Sequence, residues 1–376
     1  MAAKLTIPYV NISAQYEDEG AELREIFDRV MKRGQMVGGE EVEALEHELA
    51  ALHRVKHVIT LNSGTDALKL GLIALGIGPG DEVITPPNSF VASTATIVDV
   101  GARPVFADVL EDQNIDPDAI ESVVTQRTKA IMPVHLTGRV AEMDRIMKIA
   151  KRHSLTVIED AAQAIGSRYR GKISGSFGEI GCFSTHPLKN LNASGDGGFI
   201  TTEDDEMAQA VRLLRNHGIS DRNTVTRFGT VSRMDTLQAA ILRFRLTRLD
   251  FVIERRRKNA ALYKALLDPR LVFIPPEKPH EFIAYHTFVV QVDNRDALSA
   301  HLADCGIGTA IHYPIPIHLQ PAAAYLQHKL GDFPVCEQQA KRILTLPLHP
   351  SLSKENVYTV ARTINEFLAA RRPNIN

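Results

Sequence analysis

The sequence predicts an α/β protein with a largely parallel sheet in a large domain, followed by a smaller C-terminal α+β domain. Short β-branched runs alternate with segments of helical periodicity over roughly the first 235 residues. Strands separated by helical patterns favour parallel pairing, with helices covering both faces of the sheet. From about Met234 the pattern changes to one long or broken helical segment, which is typical of a chain leaving its first domain.

Periodicity and end signals predict the individual elements. EEVEALEHELAALH places apolar residues at helical spacing, and the strand HVITL that follows it ends near Gly64. Further strands are predicted in DEVITPP, GARPVFADV, TKAIMPVHLTG, SLTVIEDAA, GGFITTED and HTFVVQVDN. Helices are predicted in AEMDRIMKIAKRH, in RDALSAHLADC up to Gly306, and in ENVYTVARTINEFLAARR. The resulting divisions are 1–235 for an N-terminal segment and the large domain, 236–267 for a connecting helix region, and 268–376 for the small domain.

Composition excludes several classes of protein. The chain has 376 residues, 44% of them hydrophobic, and a formal net charge of −2. This charge provides neither the basic field of a nucleic-acid-binding protein nor a polybasic membrane patch, and the run Arg255–Lys258 is interpreted as a solvated helix face. Three widely spaced cysteines fit neither a disulfide framework nor a zinc site, and Cys182 is interpreted as a core residue. No stretch has the pattern of a signal peptide or a membrane span, so we expect a soluble cytoplasmic protein without a metal.

The most informative pairing is Lys189, in the polar loop FSTHPLKNLNASGDGG, with Asp160, in the strand-end sequence VIEDAAQAIG. A pyridoxal phosphate enzyme needs such a pair, because the cofactor must be held at both poles of its ring. Lys189 would form the Schiff base, and Asp160 would favour the protonated pyridinium nitrogen. Taken singly, a solvated lysine and a helix-capping aspartate are the commoner explanations. The glycines Gly195, Gly197 and Gly198 would let the backbone approach a ligand closely.

Other polar or aromatic residues follow predicted strands, where parallel sheets bind ligands. After Asn62 and Ser63, Gly64 and Thr65 begin a helix whose free amides suit a phosphate, although an ordinary helix cap explains them equally well. Ser184 would add a hydroxyl to the same phosphate.

Three further residues follow strand ends beside the expected ring. Phe90 would stack on the cofactor ring, unless it is a core residue. Gln163 would face the ring's other polar substituent. His135 would either flank the ring or be a hydrogen-bonded core histidine.

The chain resembles the DegT/DnrJ/EryC1/StrS family of sugar aminotransferases, which adopt the aspartate aminotransferase fold called fold type I. The matching stretches are NSGTDALKLGL, GDEVITPPNSFVAS, VIEDAAQAIG, CFSTHPLKNLNASGDGG, SRMDTLQAAIL and GTAIHYPIPIHLQPA. They span nearly the whole chain and occur in the family's order. The resemblance implies a pyridoxal 5'-phosphate-dependent transferase that forms a homodimer with shared active sites.

The resemblance also implies a role for each matching residue. Lys189 matches the Schiff-base lysine that moves protons, Asp160 the partner of the pyridinium nitrogen, and Gln163 the contact to the ring hydroxyl. Gly64, Thr65 and Ser184 match phosphate-binding positions, and Phe90 matches the aromatic residue that stacks on the ring. Arg233, His312 and Tyr313 match positions that reach the substrate, some of them across the dimer interface.

Two positions depart from the family's pattern. Where the family commonly has Gly-x-Asn-x-Arg, this chain has GTVSR, so Val231 replaces an asparagine that contacts the phosphate across the dimer. Unless Thr230 or Ser232 substitutes, losing this bond would weaken cofactor binding by roughly 1.5 to 3 kcal/mol. Thr137 replaces the usual tyrosine in VHLTGR, which opens space beside the site. Lysine at 189 argues against the dehydration chemistry of relatives that have histidine there.

The expected reaction transfers an amino group from L-glutamate to a nucleotide-linked keto sugar, in amino-sugar or polysaccharide biosynthesis. Amination at C3 or at C4 is compatible with the sequence, and SRMDTLQAAIL with HYPIPIH favours C3. A keto cyclitol is an alternative acceptor. The rival functions are a regulatory or non-transaminating pyridoxal phosphate-binding protein, and a nucleotide-binding α/β protein. The second would need a phosphate loop such as GxxxxGKS, which the chain lacks.

Overall fold

A computed structural model describes residues 6–371 of the chain. Its strands are β1 His57–Leu61, β2 Glu82–Thr85, β3 Arg103–Phe106, β4 Thr128–Ile131, β5 Thr156–Asp160, β6 Arg168–Tyr169, β7 Lys172–Ile173, β8 Ile180–Ser184, β9 Gly198–Thr202, β10 Ile219–Asp221, β11 Thr224–Val225, β12 Glu281–Phe282, β13 Phe288–Gln291 and β14 Ile343–Leu346. Its α-helices are α1 Ile12–Arg33, α2 Glu40–His53, α3 Gly64–Ala74, α4 Val91–Asp99, α5 Pro117–Ser122, α6 Met143–His153, α7 Asp205–Leu214, α8 Thr236–Leu246, α9 Leu249–Leu266, α10 Arg295–Asp304, α11 Pro334–Arg342 and α12 Lys354–Ala369.

A seven-stranded sheet in the order β1-β9-β8-β5-β4-β2-β3 forms the centre of the large domain. The strands from β8 to β3 pair in parallel, whereas β9 is antiparallel to both β1 and β8. The prediction of an α/β protein with a mainly parallel sheet is therefore confirmed. Because β5 and β8 are parallel neighbours, the residues that follow Asp160 and Ser184 emerge at the same edge of the sheet.

Alternate residues of the central strands are buried on opposite faces of the sheet. In β8, Ile180 and Cys182 pack with α3 and α7, whereas Phe183 packs with α2 and α8 on the other face. In β5, Ile158 likewise packs on one face of the sheet and Val157 on the other. A strand buried on both faces is continuously apolar until its last residues. The polar side chains of the site therefore begin where these strands end.

A second core lies in the C-terminal part of the chain. It is built from α9, α10, α12, β13 and β14, and the N-terminal residue Ile7 joins it. Ile7 forms a parallel bridge with Ile307, and the amide of Thr6 donates to the carbonyl of Gly306 at 2.9 Å. The first described residues thus contact the C-terminal core rather than the large sheet. The boundaries at 235 and 267 stay predictions.

The long segment after Met234 forms two helices, α8 and α9, which are separated at Thr247 and Arg248. The interpretation of Arg255–Lys258 as a solvated face is wrong for one member. Arg256 is only 9% exposed, whereas Lys258 is exposed. Helical periodicity explains the difference, because Arg256 lies on the same side of α9 as the buried Ile253 and Ala260.

Candidate active site

Lys189 lies in the loop that leaves β8, five residues after Ser184. The turn is closed by the amide of Lys189, which donates to the carbonyl of His186 at 2.8 Å. The side chain is partly buried, and the loss of hydration lowers its pKa to about 8, while the charge of Asp160 opposes this shift. The lysine and the aspartate predicted to act together are therefore close enough to interact. At pH 8 about half of the Lys189 side chains would be uncharged amines able to accept a proton.

Asp160 ends β5 and is 5% exposed. Its Oδ2 accepts a hydrogen bond from Ser93 Oγ at 2.6 Å, and its Oδ1 accepts one from the amide of Ala162 at 3.2 Å. These bonds fix the orientation of a buried carboxylate at the edge where Lys189 lies. Ser93 was not predicted, because a serine within a helix gives no local sign that it contacts a residue 67 positions away.

Gln163 is buried three residues beyond Asp160. Its Oε1 accepts a hydrogen bond from the amide of Thr137 at 2.8 Å, and its side chain also bonds the hydroxyl of Tyr313. Thr137 has a positive φ of 62°, which is unusual for a β-branched residue. The position where the family commonly has tyrosine is thus part of the backbone that fixes Gln163.

Gly64 and Ser184 meet where the N-terminus of α3 approaches the end of β8. A Cβ added to Gly64 would lie 2.6 Å from Ser184 Cβ and 3.0 Å from Ser184 Cα. The side chain of Ser63 caps α3 by accepting from the amide of Asp66 at 3.1 Å. Within residues 6–371, the amides of Gly64 and Thr65 have no hydrogen-bond acceptor. This corner therefore leaves two donors, beside the hydroxyl of Ser184, at the positive end of a helix dipole.

Aromatic and imidazole rings lie beside this corner. Phe90 is 55% exposed, so its interpretation as a core residue is wrong, and its ring centre lies 5.8 Å from that of Tyr313. Burial and the charges of Asp160 and Tyr9 raise the pKa of Tyr313. Burial, and to a smaller extent the charge of Lys189, lowers the pKa of His312 to about 4. The predicted residues Phe90, His312 and Tyr313 are thus close to one another and to the pair of Lys189 and Asp160.

Two residues near Lys189 were missed by the sequence analysis. The ring of Tyr9 lies 5.9 Å from that of His312, and its charge affects Tyr313. His286 precedes β13, and the charge of Lys189 contributes to lowering its pKa, after burial. Both come from segments that lack strand-end or loop signals of their own.

His135 does not take part in this arrangement. It is fully buried, its Nε2 lies 2.8 Å from Glu159 Oε2, and its Nδ1 accepts from the amide of Ala141 at 3.2 Å. Glu159 precedes Asp160 in β5 and therefore points to the opposite face of the sheet. Of the two interpretations, the structure supports the hydrogen-bonded core histidine.

Arg233 lines a different cleft, of about 600 Å³, together with Asn62, Ser63 and Asp66, and Lys189 does not line it. The Arg233 side chain is exposed and donates to Asn216 Oδ1 at 3.2 Å. Val231, at the position where the family commonly has asparagine, is 48% exposed and has no polar side-chain group. The nearby Ser232 is buried, and its hydroxyl donates to Asn62 Oδ1 at 3.1 Å. Within one chain, Arg233 therefore does not line the cavity that Lys189 borders.

The described residues fit pyridoxal phosphate. A carboxylate held in place would contact one pole of the ring, and a corner that even a methyl group would obstruct provides donors for a phosphate. A lysine of lowered pKa lies close enough to the carboxylate for their charges to interact. Within residues 6–371, no group of three or more metal-binding side chains is found, and no helix is long and apolar enough to cross a membrane. The thiol of Cys182 is buried, as expected.

Comparison with known proteins agrees with this geometry. The profile of the DegT/DnrJ/EryC1/StrS aminotransferase family matches residues 17–365. A relative from Geobacillus stearothermophilus named "Pleiotropic regulatory protein" is 44% identical over 96% of this chain and 99% of its own. A "dTDP-3-amino-3,4,6-trideoxy-alpha-D-glucose transaminase" from Streptomyces venezuelae is 40% identical over 96% of each chain.

Two solved structures are similar over nearly the whole fold. DesV from S. venezuelae, in complex with a ketimine intermediate, has a TM-score of 0.95 at 40% identity and covers 99% of this chain and 100% of its own. NtdA from Bacillus subtilis, with bound pyridoxamine phosphate, has a TM-score of 0.91 at 32% identity and covers 98% of this chain and 87% of its own. The chain therefore belongs to the DegT/DnrJ/EryC1/StrS aminotransferase family and is a pyridoxal phosphate-dependent sugar aminotransferase of fold type I.

Proposed function

We propose that this enzyme transfers an amino group from L-glutamate to a nucleotide-linked 3-keto sugar. The observation that carries the proposal is Lys189, which is partly buried beside Asp160 and has a pKa of about 8. A lysine in this state is suited to moving a proton near neutral pH. The preference for C3 is supported by the relative that is named as a 3-amino-sugar transaminase.

Each residue of the site has a distinct proposed task. Asp160 would hold the ring nitrogen, Gln163 the ring hydroxyl, and Gly64, Thr65 and Ser184 the phosphate, while Phe90 covers one face of the ring. When bound, pyridoxal phosphate supplies an electron sink for the carbon that loses a proton. Ser93 keeps the carboxylate of Asp160 oriented, and burial strengthens its interaction with a positive charge.

Lys189 would accept the proton that the amino donor loses from its α-carbon, and would later give this proton back. The uncharged amine is the form that acts, and burial favours that form because it penalises the ammonium ion. His312, with a pKa of about 4, is uncharged near pH 7 and adds no positive charge beside the lysine. The same residues would act in reverse when the keto sugar is bound.

We further propose a homodimer in which Arg233, His312 and Tyr313 contact the substrate. Arg233 is exposed in a cleft that Ser63 and Asp66 also line, at the start of α3. Phe228, in the same loop, is 97% exposed, and an exposed aromatic side chain is commonly covered in an assembly. Cytoplasmic activity is part of the proposal, since the three cysteines are free.

The proposal is tested by supplying L-glutamate with matched pairs of dTDP-linked and UDP-linked 3-keto and 4-keto hexoses. We expect 2-oxoglutarate to form together with a sugar aminated at C3, which NMR of the product would locate. Amination confined to C4 would overturn the assignment of the position, and reaction only with another amino donor would overturn the assignment of glutamate.

A regulatory role is the second candidate, because the 44% identical relative carries the name of a regulatory protein. The exposed Val231 is compatible with weaker phosphate binding and so with this role. Bound cofactor without turnover on any keto sugar would favour it over the sugar transaminase.

A further inference from the structure

A cavity of about 480 Å³ borders Lys189 on the side of α1 and α9. Its lining includes Asn11, Asn190, Arg256 and His349 together with Lys189. Four segments that are distant in sequence meet here, and the proposed proton-moving lysine forms part of the wall. A molecule whose amino group must reach Lys189 has room to extend into this space.

Arg256 is the buried cation of this cavity. Its Nη1 donates to the carbonyls of Tyr285 and His286 at 3.3 and 2.9 Å, and its Nε is enclosed without a partner. Burial lowers the pKa of Arg256 to about 10, and the interaction that opposes this shift is with Tyr9 rather than with a carboxylate. The guanidinium stays charged near neutral pH, but nothing on the described chain neutralises it.

Other buried arginines behave differently. Within residues 6–371, four arginines are less than 10% exposed, and three of them pair with a carboxylate: Arg139 with Glu281 at 2.8 Å, Arg245 with Glu19 at 2.8 Å, and Arg295 with Asp296 at 2.5 Å. Arg256 is the fourth and has no such pair in that part of the chain. A buried charge without a counter-charge is costly, so an unpaired one indicates a site for an anion.

Three acids line the cavity, and two of them, Asp18 and Glu19, are already paired with arginines. Glu19 pairs with Arg245 and lies 3.6 Å from Arg248, and Asp18 pairs with Arg248. Within residues 6–371 none of the three forms an ion pair with Arg256, and the third, Glu17, is exposed to solvent. The cavity therefore offers one unpaired cation in the same enclosure as Lys189.

We propose that Arg256 binds a carboxylate of the amino donor while the donor's amine lies at Lys189. The inference rests on the proposed function, because it deepens the account of how L-glutamate is held. Glutamate carries two carboxylates, and a guanidinium is well suited to either one. The hydrogen bonds from Nη1 to two carbonyls would keep the guanidinium in place before the donor arrives.

A purely structural role, tying α9 to the segment before β13, is the competing explanation. Arg255 provides a matched control for it. This neighbouring arginine also donates to two backbone carbonyls, those of Pro350 and Leu352 at 3.2 and 3.4 Å, but it does not line the cavity. Substitution of either arginine removes carbonyl bonds, and only that of Arg256 removes the cation beside Lys189.

The first test measures binding without reaction. Isothermal titration of the holoenzyme with glutarate, a dicarboxylate that has no amine, should give a Kd about 10- to 150-fold higher for Arg256→Met than for the wild type. Arg255→Met should bind glutarate like the wild type, and Arg256→Lys should bind it with intermediate strength. Equal binding by the wild type and Arg256→Met would overturn the inference.

The second test follows the absorbance of the bound cofactor in the half-reaction with amino donors. Arg256→Met should raise the half-saturating concentration of L-glutamate by a similar factor. A loss shared with L-alanine assigns the α-carboxylate, whereas a loss confined to L-glutamate assigns the distal one. If Arg256→Met loses the cofactor as well, and Arg256→Lys does not recover donor binding, the role is structural and the inference fails. If the wild type responds to no amino donor, the proposed function fails instead.

Discussion

Replacing Gly64 by alanine tests the corner that we assign to the cofactor phosphate. The new Cβ would lie 2.6 Å from Ser184 Cβ, and an ordinary contact begins at 3.4 Å, so the gap must open by about 0.8 Å. Ser184 cannot easily give way, because it pairs with Gly198 in the sheet and its Cα is also only 3.0 Å from the added atom. The φ of Gly64 is outside the left-handed region, so the effect would be steric.

A shift of this size would displace the amides of Gly64 and Thr65 relative to Ser184. Losing one hydrogen bond to a charged group costs roughly 1.5 to 3 kcal/mol, which raises the Kd of pyridoxal phosphate about 10- to 150-fold. Overpacking would also lower the free energy of unfolding of the apoprotein by about 1 to 3 kcal/mol. Fluorescence titration of the apoprotein with the cofactor measures the first effect, and urea unfolding measures the second.

Gly78→Ala is the matched control. Gly78 also lacks a positive φ, and the only heavy atom near its added Cβ is the carbonyl oxygen of Val100 at 3.6 Å. We expect this variant to bind the cofactor like the wild type. If Gly64→Ala binds the cofactor as tightly as Gly78→Ala does, the phosphate is not held at the start of α3, and that assignment is wrong.

Two further predictions concern the lysine and its aspartate. Ser93→Ala removes the 2.6 Å hydrogen bond to Asp160, so the half-reaction with L-glutamate should slow about tenfold. Stopped-flow absorbance measures this rate, which should recover in Ser93→Thr. An unchanged rate in Ser93→Ala would mean that Ser93 does not position the carboxylate. Because the pKa of Lys189 falls from 10.5 to about 8 in the folded apoprotein, the unfolded chain binds this proton more tightly, and stability should rise as the pH increases from about 8 towards 10.5. Lys189→Met has no such proton, so the amount by which its free energy of unfolding in urea exceeds that of the wild type should be largest below pH 8 and should shrink towards pH 10.5. If this difference between the two proteins does not change with pH, the pKa of Lys189 is not lowered.

Hydrophobic periodicity, together with the residues that end helices and strands, was sufficient to predict most of the large domain. The helix α2 and the strands β1, β2, β5 and β9 occur where apolar spacing and glycines indicate them. The strand β8 was not predicted, because IGCFS is short and contains a glycine and no alternation. The strand β14 follows α11 without any turn residue that would separate them. The antiparallel direction of β9 has no local signature, since strand direction depends on the connection and not on composition.

The site shows the same division between local and long-range information. Lys189, Asp160 and Gly64 lie in sequence contexts that themselves suggest chemistry, and the structure brings Lys189 to Asp160 and Gly64 to Ser184. Ser93 and Arg256 lie within helices of ordinary composition, and their importance depends on what they meet in space. Arg256 lies in a basic run, Arg255–Lys258, that suggests a solvated surface. The run gives no sign that the helix turns Arg256 towards the interior of the protein.

The central claim is that Lys189 carries out amino transfer with bound pyridoxal phosphate. The most direct measurement is the absorbance spectrum of the purified protein with and without excess L-glutamate, alongside Lys189→Ala. We predict that the visible band of the wild type shifts to that of the pyridoxamine form on addition of glutamate, and that the lysine-dependent band is absent from the variant. A wild-type protein that binds no cofactor after reconstitution, or a Lys189→Ala variant that gives the same band and the same shift, would contradict the account.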